Sequence, residues 1–260
     1  MTPPTLATVD FGGPDGAPLL ICGPSLGTSV DALWSTTAQR LTQYMRVVGF
    51  DLPGHGRSPA PSAPFTIADI AAAVHDIALA HGVTHYHYAG VSAGGAVGLE
   101  LLLQQSDSLI TTALICTGAK IRSADAWLDR ATAVRAEGIS SVLGSAASIW
   151  FANGFITRNP DAASALLASL RDTDAGGYAA VCEALAHFDV RHRLPTITGD
   201  VTVIAGAQDI ATPPESMRTM AQRIPAARYL ELAAAAHLAP AEQPDLITQA
   251  LMTNPNRSTT

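Results

Sequence analysis

The chain has 260 residues, 48% of them hydrophobic and 14% charged, with a formal net charge of −7. That composition excludes a disordered chain, and 15 basic against 22 acidic residues argue against the clustered Lys/Arg surface of a nucleic-acid binder. A small anionic ligand stays open, because the charge of a pocket can differ from the global balance. No apolar run reaches the roughly 18 residues of a membrane span, and Met1-Thr2-Pro3-Pro4 lacks the basic and apolar regions of a signal peptide. No membrane partner is expected. Three widely spaced cysteines, Cys22, Cys116 and Cys182, disfavour a disulfide framework or zinc site, and a cytoplasmic location fits.

In chain order, Leu6 to Phe11 reads as a strand closed by Gly12-Gly13-Pro14-Asp15-Gly16. Pro18-Leu19-Leu20-Ile21-Cys22 is a continuous apolar run, the pattern of a strand buried on both faces. The loop Gly23-Pro24-Ser25-Leu26-Gly27-Thr28 leads to an amphipathic helix over Asp31 to Met45, then a strand over Arg46 to Asp51. A dense turn, Asp51-Leu52-Pro53-Gly54-His55-Gly56-Arg57-Ser58, follows, in which Asp51 is expected to bond local backbone N–H groups. Thr66 with Asp69 resembles a capping box for a helix to about Ala80. A strand ending Tyr86-His87-Tyr88-Ala89 and another over Ile110 to Cys116 come next.

From Ala119 to Leu194 the strand pattern disappears, and helices are predicted over Ala126–Glu137, Ser140–Phe151, Pro160–Arg171 and Tyr178–His187. Alternation resumes with a strand at Val201–Gly206, a helix at Glu215–Arg223, a strand at Ala227–Leu232 and a helix at Pro244–Met252, before a loose tail over Asn254–Thr260. The expected fold class is α/β: a mostly parallel, doubly wound sheet with a helical cap inserted after the sixth strand. Residues 1–118 and 195–260 form the core, and 119–194 the cap. The cap lies over the strand C-termini, where ligands bind in open α/β sheets.

Between strand and helix stands Gly90-Val91-Ser92-Ala93-Gly94-Gly95. A G-x-S-x-G sequence in that context reads as a nucleophile elbow, which exposes its serine on a strained turn. Ser92 is therefore the candidate nucleophile. It needs a histidine to take its proton and a carboxylate to orient that histidine. Asp209 follows the apolar run Val201 to Ala205, and His237 follows the strand Arg228 to Leu232. Each alone reads as a helix cap or a surface residue, but all three at strand ends, in the order Ser…Asp…His, form a candidate triad. The oxyanion donors are expected to be the backbone N–H groups of Ala93 and Leu26. Pro24 has no N–H to donate, and Ser25 can assist with its hydroxyl. His85 and His87 alternate on a strand without a carboxylate or cysteine, so a structural role outweighs a metal site.

These stretches resemble the α/β-hydrolase superfamily over essentially the whole chain. More narrowly, the chain looks like the 3-oxoadipate enol-lactonases. The similarity is carried by Ser25-Leu26-Gly27-Thr28, Gly118-Ala119-Lys120-Ile121, Gly177 to Leu185, Gly206-Ala207-Gln208-Asp209-Ile210-Ala211-Thr212-Pro213-Pro214 and Ala235-Ala236-His237-Leu238. The chain departs from the expected family pattern at Pro24, in place of Asn, and at Ile149, in place of an Arg before Trp150-Phe151. The resemblance implies hydrolysis of a small carboxylate-bearing enol-lactone through an acyl-enzyme on Ser92, with no metal or organic cofactor. Lys120, the only lysine, and Arg191 then become candidate partners for the substrate carboxylate. Trp34, Trp127 and Trp150 become candidates to shape the pocket. The alternatives are an esterase or lactonase for another small acyl substrate, a cofactor-free oxygenase or haloperoxidase, or a ligand receptor on the same fold.

Overall fold

In the computed structural model, which describes residues 3–253, the apolar runs bounded by glycine and proline become strands. They are β1 (Thr8–Gly12), β2 (Leu19–Gly23), β3 (Arg46–Phe50), β4 (Tyr86–Val91), β5 (Leu109–Ile115), β6 (Val201–Gly206) and β7 (Arg228–Leu232). They form one sheet in the order β1-β3-β2-β4-β5-β6-β7. Only β1 runs antiparallel to its neighbour; the other pairs are parallel. Every residue of β2 and β4 is buried, as expected for central strands covered on both faces.

The helices of the first half are α1 (Val30–Leu41), α2 (Ile67–Ala80) and α3 (Ala93–Gln104). Ser29 caps α1 by accepting from the N–H of Ala32 at 3.2 Å, and Thr66 and Asp69 close a full capping box on α2. Asp51 accepts the N–H groups of Val30 at 2.7 Å and Arg57 at 2.9 Å, tying the turn after β3 to the start of α1.

Between β5 and β6 lies an all-helical block: α4 (Ala124–Glu137), α5 (Ser140–Trp150), α6 (Phe155–Arg158), α7 (Pro160–Arg171) and α8 (Ala175–Ala186). It follows the fifth strand, not the sixth as expected. The apolar runs that precede it in the sequence number five and each folds into one strand, so the sixth place overcounted them by one. The short α6 carries too few residues to show a helical period in sequence. The chain ends with α9 (Pro214–Arg223), α10 (Ala239–Glu242) and α11 (Pro244–Met252). The tail expected at 254–260 lies outside the described residues, as do the first two residues.

The strand order fixes where a ligand can sit. The chain leaves β2 for β3 on one side, then crosses to β4 on the other, so the loops after β2 and β4 border a crevice at their C-terminal ends. Leu26 occupies the first loop and Ser92 the second. Trp34 is fully buried beneath this crevice and donates its indole N–H to the Gly23 carbonyl at 3.0 Å. It supports the loop and does not line the pocket. All three cysteines are free and buried. Among the described residues, no helix is long and apolar enough to cross a membrane.

Candidate active site

Ser92 adopts φ 55° and ψ −111°, a conformation that costs a non-glycine residue about 1–3 kcal/mol. Three hydrogen bonds hold it there. The Ser92 N–H donates to the Ile115 carbonyl at 2.9 Å, and its own carbonyl accepts from the Ala96 N–H at 2.9 Å and the Thr117 hydroxyl at 2.7 Å. The turn closes only because its flanks are glycine. A Cβ on Gly90 would lie 2.2 Å from the Gly94 carbonyl oxygen, and one on Gly94 would lie 2.7 Å from backbone atoms of Gly23 and Pro24.

That close approach joins the elbow to the loop after β2: the Gly94 N–H donates to the Pro24 carbonyl at 3.0 Å. Pro24, where the resemblance led to an expected Asn, thus contributes its backbone carbonyl. Ala93 is the first residue of α3, so its N–H is among those the helix leaves unsatisfied. Leu26 and Ser25 line the same cavity as Ser92. The Ser25 backbone is fixed by reciprocal bonds with the Thr28 side chain, at 3.1 and 2.9 Å.

His237 faces this cavity from the loop after β7. Its Nδ1 lies 2.8 Å from Asp209 Oδ2. Asp209 also accepts the N–H groups of Ala211 at 2.8 Å and Thr212 at 3.0 Å, and the Thr212 hydroxyl at 2.6 Å. Burial pushes the Asp209 carboxyl up, but His237 and the Thr212 bonds outweigh it and hold the group below its ordinary value. The ionised carboxylate selects the Nδ1–H tautomer, leaving Nε2 as an acceptor. Ser92, Asp209 and His237 are all buried.

The helical block supplies the opposite wall: Ile121, Arg122, Trp127, Arg130, Ile149, Trp150 and Tyr178. Trp127 is anchored by its indole N–H on the Ile121 carbonyl. Arg122 and Arg130 place their guanidinium carbons 5.9 and 5.7 Å from the Trp127 ring centre, within range for cation–π attraction. Arg130 also donates to the Tyr178 hydroxyl at 3.3 Å. Neither arginine has a carboxylate within ion-pair distance among the described residues. Partial burial and the like charge of Arg130 lower the Arg122 pKa, and Arg122 carries a positive φ of 58°. Among the described residues, two guanidinium groups without a carboxylate partner thus converge on one indole.

Lys120 and Arg191 are placed elsewhere. Both face an outer cleft and both pair with Asp189, at 3.4 and 2.6 Å, because the two chain crossings between sheet and block meet there. Arg122 lines that cleft and the inner cavity alike. Sequence reading passed over Arg122 and Arg130. The Trp127-x-x-Arg130 spacing on α4, which places both on one helix face, is the signal that was available; the backbone of Arg122 left none. Ile149 does line the cavity, with an apolar side chain where the resemblance led to an expected arginine. His55, behind Tyr178, is buried, stacked on that ring at 6.0 Å, and pushed down to about 4 by desolvation. Among the described residues no group of three or more His, Cys, Asp or Glu is placed to hold a metal ion.

Comparison with known proteins places this geometry in context. The model of the alpha/beta hydrolase family matches residues 19–250. Two 3-oxoadipate enol-lactonases of Acinetobacter baylyi are each 34% identical to the chain; they cover 93% of it, and the matches span 90% and 89% of their own lengths. The crystal structure of the enol-lactonase from Burkholderia xenovorans superposes with a TM-score of 0.89 at 31% identity, covering 95% of this chain and 94% of that one.

Proposed function

The chain belongs to the alpha/beta hydrolase family, and on that premise we propose that it hydrolyses a small carboxylate-bearing enol-lactone, converting 3-oxoadipate enol-lactone to 3-oxoadipate. The observation that carries the substrate class is the Arg122–Trp127–Arg130 group, two guanidinium ions without a carboxylate partner among the described residues, in the cavity that Ser92 and His237 share. The enol-lactonase relatives support the choice of lactone. The three free, buried cysteines fit a reducing cytoplasm.

In this reading Ser92 Oγ adds to the ring carbonyl while its proton passes to His237 Nε2. The carbonyl oxygen becomes an oxyanion, held by the N–H groups of Leu26 and Ala93. Collapse breaks the ring C–O bond, and His237 returns the proton to the departing enol oxygen. The enol then rearranges to the ketone. Water, deprotonated by His237, attacks the Ser92 ester, and a second collapse releases the acid and restores the serine. Asp209 stays ionised throughout and stabilises the imidazolium. The distal carboxylate of the substrate lies against the two arginines and orients the ring.

The test is a comparison of kcat/KM for the enol-lactone and for neutral aryl esters of similar size. The lactone is expected to be preferred by at least about tenfold, the value of one charge-assisted contact. Turnover of the esters alone would sink the enol-lactone assignment while leaving the hydrolase chemistry standing.

A further inference from the structure

Glu242, the last residue of α10, is a buried carboxylate that the chemistry above does not use. Its Oε1 accepts the backbone N–H of Ala152 at 2.6 Å, and its Oε2 accepts that of Ala236 at 2.7 Å. Ala236 immediately precedes His237, and Ala152 lies two residues beyond the end of α5. One side chain therefore joins the helical block to the loop that carries the candidate base. Two further bonds run between the same parts. The His237 N–H donates to the Trp150 carbonyl at 3.2 Å, and the Asn153 N–H donates to the side chain of Gln208, the neighbour of Asp209, at 2.9 Å.

The charges around Glu242 are few. Among the described residues no lysine or arginine lies within ion-pair distance of it. Burial pushes its carboxyl above the ordinary value, against the Ala152 and Ala236 N–H groups, which draw it down; the titratable groups that act on it are His237, which lowers it, and Asp209, which raises it. Cys116, at the end of β5, faces the same spot and donates its S–H to the Ala236 carbonyl at 3.3 Å; burial keeps that thiol neutral. The segment Trp150–Ala152 brings no charge. The one cation that can form beside Glu242 is the His237 imidazolium.

We propose that Glu242 is a positioning residue for His237: as a carboxylate it clamps the His237 loop to the helical block and adds a second negative charge, beside that of Asp209, which stabilises the imidazolium. Both oxygens receive N–H donors, a demand that a carboxylate meets and an amide does not. Charge completes the argument, because a negative group near an imidazole favours its protonated form. A carboxylate that merely braced the loop would change stability and leave the titration of His237 alone.

The inference rests on the hydrolase reading above but not on the lactone, so the test uses a neutral aryl ester with Glu242→Gln. Labelling of Ser92 by a serine-directed phosphonate runs alongside; failure to label the unaltered protein refutes the hydrolase reading itself. In E242Q the acid limb of the kcat/KM profile is expected to move to lower pH, because the negative charge that favours the imidazolium is gone, with kcat reduced roughly tenfold. Glu242→Asp, which keeps the charge on a shorter arm, is expected to keep the profile while losing rate. An acid limb in E242Q that coincides with that of the unaltered enzyme overturns the proposal. Carbon-13 NMR of the unaltered, glutamate-labelled protein provides a readout that no folding failure can obscure. Glu242 is expected to be ionised at pH 7, and a protonated Glu242 there overturns the proposal.

Discussion

Replacing Arg130 by glutamine removes one of the two cations that face the proposed substrate carboxylate and keeps a side chain of similar reach. A hydrogen bond to a charged group contributes about 1.5–3 kcal/mol, which at 1.36 kcal/mol per decade is roughly a 10- to 150-fold loss in kcat/KM. The bare Coulomb attraction is larger, about 4 kcal/mol at 4 Å and an effective dielectric of 20, but Arg122, which lies over the same indole, remains and retains part of it. The carboxylate is remote from the reacting carbonyl, so the loss is expected mainly in KM, the signature of binding shared by ground and transition states. Kinetics on the anionic lactone and on a neutral aryl ester, with R130Q and the unaltered enzyme side by side, measure it. The ester is expected to change less than about threefold, since only the bond to the Tyr178 hydroxyl and the stacking on Trp127 are lost. Equal losses on both substrates would make Arg130 a brace for the wall, and no loss on the lactone would refute the anion site.

Ser92→Ala is expected to lower kcat by about 10⁴- to 10⁶-fold and to abolish phosphonate labelling measured by intact-protein mass spectrometry; a variant with full activity rules out the acyl-enzyme. Asp209→Asn is expected to cost about 10³- to 10⁴-fold in kcat, because the neutral amide no longer selects the Nδ1–H tautomer, and an activity near that of the parent would remove Asp209 from the mechanism. Asp209 also bears on stability. Its folded pKa lies below the unfolded value of about 3.9, so its contribution is complete above that unfolded value and is lost as pH falls through the folded one. Urea titrations from pH 6 to pH 2 should show that loss, and its absence in the asparagine variant isolates it. Gly94→Ala drives a Cβ to 2.7 Å from the backbone of Gly23 and Pro24. Overpacking of that kind costs about 1–3 kcal/mol, read as a Tm lower by several degrees; an unchanged Tm and kcat would mean that the loop after β2 yields freely.

Some of the site was open to reading because its signals are local. Gly90 is demanded by a backbone contact only a few residues away, at Gly94, and the pattern around Ser92 displays Gly94 too, although what demands it is the distant loop after β2. Asp209 and His237 each follow an apolar run, and a parallel sheet carries the ends of such runs to one edge. Charge partners are different. Lys120 and Arg191 looked available because sequence does not reveal Asp189 between them. Arg122 and Arg130 gained their place from two separate accidents of packing, a left-handed backbone at position 122 and a helix face at 130 that both converge on Trp127. Glu242 was invisible for the same reason. Its partner Ala152 is 90 residues away in the chain, and a carboxylate that accepts backbone N–H groups leaves no mark on the partner's side chain.

The sequence by itself determined the periods of the strands and helices, the turn at Ser92 and the chain order of Ser92, Asp209 and His237, because each depends on residues within a few positions. It placed the helical block in the chain but miscounted the strands before it. Only the tertiary structure decided which cations remain unpaired in the cavity, which are spent on Asp189, and how Glu242 and Trp150 fasten the block to the His237 loop. Those outcomes depend on which distant groups the fold brings within about 3 Å of one another, the range of a hydrogen bond, and no local pattern encodes that distance.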